Sequence, residues 1–167
     1  DRYANVQHNA ADELIRRIRA DGITDILEIG CGTGNYTCLL REKFKNAHLE
    51  ALDISDKMIE IARHKFGDEE VEFAVSDAET VRVSDGTFGL ITSNVAFQWI
   101  EDLRSAVSNY KDALIEKGVI AFSTFGPLTF CELGQSLKEI SSESIASSSF
   151  LQKDQIGIMI DSYFNTF

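Results

Sequence analysis

Apolar and polar positions alternate along the chain in two rhythms, short apolar runs and longer stretches at helical spacing. Val6, Ala10, Leu14 and Ile18 fall on one stripe, with Arg16, Arg17, Arg19 and Asp21 mostly off it, which predicts an amphipathic helix over residues 2–21 ended by Asp21-Gly22. Ile26, Leu27 and Ile29 make a strand-length run before a glycine turn. Behind it the pattern predicts a helix over 34–45, a strand over 48–53 and a helix over 55–66. In that last helix Ser55 is the candidate N-cap and Met58, Ile61, Ala62 and Phe66 keep helical spacing. Val71–Val75 and Phe88–Ser93 supply two more strands. Asp102 is placed to cap a helix carrying Leu103, Ala106, Val107, Tyr110 and Leu114 on one face, and Gly118 starts a fifth strand over Val119–Thr124. Past Pro127 the chain predicts a helix around Phe130–Ile140, a flexible polar connector over Ser141–Ser149 and a final helix over Lys153–Phe167.

Strands alternating with helices predict an α/β fold built on a doubly wound, mostly parallel sheet. The expected organisation is a single domain over 1–167: an N-terminal helix (1–22), a ligand-binding core (23–125) and a helical segment (126–167). A fifth strand left uncovered is an edge open to pairing. The chain therefore reads as part of a longer one.

Composition narrows the function. The 44% apolar content supports a buried core, and a net charge of −11 argues against a nucleic-acid substrate. Three cysteines, Cys31, Cys38 and Cys131, lack C-x-x-C spacing, so a reduced, cytoplasmic setting fits. His8, His48 and His64 are scattered without partners and suggest no metal site. No apolar stretch is long enough to span a bilayer.

Candidate chemistry concentrates at Glu28-Ile29-Gly30-Cys31-Gly32-Thr33-Gly34. Glycine meets two needs here, turn angles forbidden to other residues and a bare backbone for a ligand to lie against. The following helix aims its first amides at the turn. A dinucleotide fingerprint would place a third glycine where Asn35 stands, which disfavours pyrophosphate and a nicotinamide cofactor. Asp53 closes the second strand, where its carboxylate can take both hydroxyls of a ribose. Asp77 can accept from an adenine amino group beside the small Ala78. Met58 and Ile54 suit either the core or the wall of such a site. Cys31 fits as a packing residue of the loop.

The order of that glycine loop, Asp53 and then Asp77-Ala78-Glu79 resembles the cofactor site of class I S-adenosylmethionine-dependent methyltransferases, which are Rossmann-like; that resemblance implies C-terminal antiparallel strands, which this chain does not hold. Ser93-Asn94-Val95-Ala96-Phe97-Gln98-Trp99 with Asp102-Leu103, and Phe122-Ser123-Thr124-Phe125-Gly126-Pro127 with Thr129-Phe130, resemble the malonyl-acyl-carrier-protein O-methyltransferase family of biotin synthesis. The resemblance implies S-adenosylmethionine held by Glu28, Gly30, Cys31, Gly32, Gly34, Asp53, Ile54, Met58, Asp77, Ala78, Glu79 and Asn94. It also implies methyl esterification of the free carboxylate of a malonyl thioester on acyl carrier protein, by a monomer. Asn94, Gln98, Trp99, Phe125 and Thr129 are expected to rim the acceptor pocket. The first helix reads as packed on the sheet, or else its start, Tyr3 with Gln7 and His8, forms a lid over the cleft, with Tyr3 a candidate contact of the acceptor. Trp99 and Phe125 fit equally as core aromatics. The competing readings are a methyltransferase for another small carboxylic acid or small molecule, and a cofactor-binding module without catalysis.

Overall fold

The computed structural model describes residues 5–19, 22–67, 71–140 and 145–164. They fall in two compact units, Asp1–Ser123 and Thr124–Phe167.

The first unit is an α/β sheet assembly. Helix α1 (Asn5–Arg17) leads into β1 (Asp25–Ile29), α2 (Asn35–Lys43), β2 (His48–Asp53), α3 (Asp56–Phe66) and β3 (Glu72–Val75). Then come β4 (Phe88–Asn94), a 3-10 turn at Phe97–Trp99, α4 (Leu103–Ala113) and β5 (Leu114–Ser123). The strands lie in the order β3-β2-β1-β4-β5 and every pair is parallel. The chain thus winds outward from β1 to one edge, returns, and winds to the other. Such a reversal opens a crevice at the C-terminal ends of β1 and β4.

Because strand side chains alternate between faces, the central strands β1 and β4 bury residues on both sides, whereas the edge strands β3 and β5 are largely unburied. Ile26, Leu49, Ala51, Phe73 and Leu90 pack in one cluster with Leu14, Leu40 and Ile59 of the first three helices. Helix α4 buries Val107 and Tyr110. The Ser55 hydroxyl accepts from the Met58 amide (3.4 Å) and the Asp102 carboxylate from the Ser105 amide (3.0 Å), so both expected caps are present.

Several boundaries differ from expectation. In α1 the buried positions are Ala11 and Leu14, continued by Ile18, whereas Val6 is exposed. The buried stripe therefore runs through Ala11, Leu14 and Ile18, at helical spacing, rather than through Val6. Lys43 Nζ donates to the carbonyls of Ile15 and Ile18 (2.6 Å each), taking up the carbonyl end of that helix. Strand β5 begins at Leu114 rather than Val119. Its register against β4 shifts between Phe88/Leu114 and Leu90/Val119, and Lys117 there adopts φ 66°. A bulge of this kind breaks the alternation on which strand recognition depends.

His48 is not partnerless. It lies 2.9 Å from Glu72 and 3.8 Å from both Asp25 and Glu50, at the N-terminal ends of three neighbouring strands. These carboxylates raise the histidine pKa, the Glu72 hydrogen bond contributing most.

The second unit contains α5 (Cys131–Ile140), a 3-10 turn over Ala146–Ser149 and α6 (Lys153–Asp161). Part of the expected connector is therefore ordered, with the Ser147 hydroxyl donating to the Thr129 carbonyl (2.5 Å). Residues 141–144 lie outside the described residues. Helix α6 is shorter than expected and begins where the Gln152 amide donates to Gln155 Oε1 (2.8 Å). No helix among the described residues is long and apolar enough to cross a membrane.

Candidate active site

The crevice holds a cleft of about 510 Å³, and every residue lining it belongs to the first unit. Its floor is the loop between β1 and α2. Gly30, Gly32 and Gly34 all have positive φ, from 55° to 78°. They are glycines for different reasons, however. A side chain on Gly30 would place its Cβ 2.3 Å from that of Ala96, and one on Gly34 would press on Phe66 and Ala62. Beside Gly32 there is open space. Only Gly32 therefore combines a turn conformation with backbone left bare for a ligand.

The loop is held by β2. The amides of Gly30 and Cys31 both donate to the Leu52 carbonyl (2.8 and 2.9 Å). Asp53 receives the Gly32 amide on Oδ2 (2.8 Å) and the Ser55 amide on Oδ1 (2.9 Å). One carboxylate thus ties the glycine turn to the start of α3. Each oxygen keeps a second lone pair, so both can still accept from a ligand hydroxyl.

At the end of β3, Asp77 Oδ1 accepts from the Glu79 amide (2.9 Å), and the Tyr110 hydroxyl donates to the Ala78 carbonyl (2.5 Å). The Glu79 carboxylate accepts from the Glu101 amide. Asp53, Asp77, Ala78 and Glu79 all line the cleft, as do Gly30, Cys31 and Gly32. Ile54 and Met58 line it too, and both are exposed rather than core residues. Asn94 and Trp99 complete the expected set on the β4 side, Trp99 being 64% exposed.

Other expected site residues lie elsewhere. Gly34 stands behind the loop, against α3. Gln98 is not in the cleft lining; its Nε2 donates to the Val95 carbonyl (2.8 Å). Phe125 and Thr129 belong to the second unit, and Tyr3 lies outside the described residues. Gln7 and His8 of α1, expected in a lid, do line the cleft.

Glu28 is buried within β1 and does not line the cleft. Burial pushes its carboxyl up to about 8; the Thr37 side chain offsets this in part, and the Asp53 carboxylate adds to it. Burial thus favours the neutral form of Glu28 beneath the loop. Burial likewise raises the Cys31 thiol, with Glu28 and Asp53 adding to it, so Cys31 stays protonated and inert.

The pattern did not single out Tyr36. It lines the cleft, and its hydroxyl lies 2.8 Å from Thr92 Oγ1, which itself donates to the Ala121 carbonyl (2.8 Å). With the threonine proton committed, Tyr36 is the donor. The relay fastens α2 to β4 and β5 beneath the cleft. The hydroxyls of Thr92 and Ser93 at the end of an apolar run were the one signal of it in the sequence.

Residues 27–122 match the family model described as a methyltransferase domain. The malonyl-[acyl-carrier protein] O-methyltransferase of Acetivibrio thermocellus is 42% identical over 135 residues, which is 80% of this chain and 47% of that protein. Its namesake from Bacillus anthracis is 37% identical over 166 residues, 93% of this chain and 61% of that protein. The chain thus spans about half to three fifths of the length of these curated relatives. Among solved structures, an S-adenosylmethionine dependent methyltransferase from Mesorhizobium loti is 25% identical with a TM-score of 0.63, covering 73% of this chain and 57% of that one. The family match takes in more than half of the chain, including the end of β1, the glycine loop, Asp53 and β4, and on that ground the chain belongs to the methyltransferase-domain family.

Proposed function

We propose that the cleft binds S-adenosylmethionine and that the protein methylates the free carboxylate of a malonyl thioester carried on acyl carrier protein. The observation that carries the first part is Asp53, an acceptor-only carboxylate at the tip of β2, fixed beside the open backbone of Gly32. These residues fit a nucleoside: Asp53 for the ribose hydroxyls, Asp77 and Ala78 for the adenine, Ile54 and Met58 as an apolar wall. Asp53, Asp77 and Glu79 also bring negative charge to the cleft, which suits a sulfonium cation and opposes a pyrophosphate. When bound, the cofactor supplies an electrophilic methyl group for in-line displacement.

The second part is supported by the names of the relatives and by the chemistry of the acceptor. A carboxylate is already ionised at neutral pH, so the site needs no general base, only positioning and exclusion of water. Trp99, exposed at the rim, is suited to cover an acyl chain, and Gln98 braces the Val95 carbonyl behind it. Phe125, Thr129 and Tyr3 remain proposed contacts of the acceptor. The protein is proposed to act as a monomer in the cytoplasm.

The test is to offer the protein S-adenosylmethionine with malonyl-carrier protein and, separately, with free small carboxylic acids, and to look for a methyl ester by mass. Ester on the carrier protein is expected. Product from the free acids alone would replace the carrier-protein substrate with a free carboxylic acid.

A further inference from the structure

Val95 is a β-branched residue held at φ 56°, a conformation that such residues rarely occupy and that persists only when neighbours enforce it. It lies in the cleft wall directly after β4. Its amide donates both to the Ser123 carbonyl (3.0 Å) and to Ser123 Oγ (3.1 Å), and its carbonyl accepts from Gln98. The Ser123 hydroxyl spends its own proton on Asn94 Oδ1 (2.7 Å), while Asn94 Nδ2 donates to the Gln7 carbonyl of α1 (3.2 Å).

The orientation of the Asn94 amide follows from these partners. Turned over, it would set its oxygen against the Gln7 carbonyl, acceptor facing acceptor. The Gln7 carbonyl, an acceptor only, therefore selects the orientation with nitrogen toward α1, and the Ser123 hydroxyl donates to the oxygen that this leaves on its side. One N–H is used on Gln7, leaving a second for an oxygen atom of a ligand.

We infer that Ser123 is a positioning residue. From the end of β5 it holds the strained Val95 turn and anchors the Asn94 oxygen while the Asn94 nitrogen latches α1 over the cleft, which sets the wall that the ligand meets. The ligand part of this inference rests on the S-adenosylmethionine reading, while the latch itself does not.

Two measurements separate them. Hydrogen exchange of the ligand-free protein should show faster exchange in the first two turns of α1 for Ser123→Ala, and for Asn94→Asp, which keeps an acceptor for Ser123 but sets an oxygen against Gln7. Ser123→Thr, which restores the hydroxyl, should behave as the parent protein. Calorimetric titration with S-adenosylmethionine should then give a dissociation constant about tenfold weaker for Ser123→Ala, the loss expected for about one hydrogen bond, and near the parent value for Ser123→Thr. Unchanged exchange in α1 for both Ser123→Ala and Asn94→Asp would overturn the latch. Equal affinity of Ser123→Ala and the parent protein would overturn the positioning role. A parent protein that binds no S-adenosylmethionine would overturn the ligand reading alone.

Discussion

The Gly32 amide donates to the Asp53 carboxylate across 2.8 Å, joining the one loop glycine with open space beside it to the acidic tip of the next strand. Residues 21 apart in sequence thus share one task, since the carboxylate that shapes the turn is also the one offered to a ligand. Asp53→Asn keeps the size and removes one of the two acceptors. S-adenosylmethionine should bind roughly ten- to a hundredfold more weakly by calorimetry, from the usual strength of hydrogen bonds to charged groups.

The loop glycines should separate by mutation. Gly30→Ala drives a methyl group into Ala96 and should destabilise the fold by roughly 1–3 kcal/mol or more, as overpacking does. Gly32→Ala meets no atom, so its cost should be about 1 kcal/mol, from the left-handed backbone alone. Yet its methyl group borders the cleft and should abolish binding. Urea denaturation beside ligand titration distinguishes the two.

Glu28 makes stability depend on pH. Its folded pKa of about 8 lies above the ordinary carboxylate value of 4.5, so between the two the folded chain holds a proton that the unfolded chain has released. Stability should therefore be fully present below that window and fall as pH rises through it, by at most about 1.4 kcal/mol per pH unit from this group. Glu28→Gln should flatten the profile and be relatively more stable at pH 8 than at pH 5, as measured by urea midpoints.

The Tyr36 relay predicts an asymmetry. Tyr36→Phe removes one donor while Thr92 keeps its bond to Ala121, and should cost about 1 kcal/mol. Thr92→Val leaves both the tyrosine hydroxyl and the Ala121 carbonyl without their partner and should cost more, roughly 2–3 kcal/mol. Thermal or urea unfolding of the two variants checks the order.

Much of this architecture was legible in the sequence wherever one local signal had one physical cause. Strand β2 ends where expected because an apolar run meets Asp53, and α3 and α4 begin after Ser55 and Asp102 because each side chain caps an amide. What escaped depends on contacts distant in sequence. A bulge at Lys117 hid the start of β5, and the role of Gly30 is set by Ala96 from another strand end. Glu28 looks like a ligand-facing acid in a motif, but it sits buried in β1 between β2 and β4, which the motif alone does not reveal. Tyr36, Thr92 and Ser123 carry hydroxyls whose partners only the assembled sheet supplies.

The most direct test of the account is a crystal structure of the protein grown with S-adenosylhomocysteine, the methyl-transfer product. The account predicts the nucleoside in the cleft, with its ribose hydroxyls within hydrogen-bond distance of Asp53 and its adenine beside Asp77 and Ala78. An empty cleft at saturating ligand, or a nucleoside whose sugar makes no contact with Asp53, would contradict it.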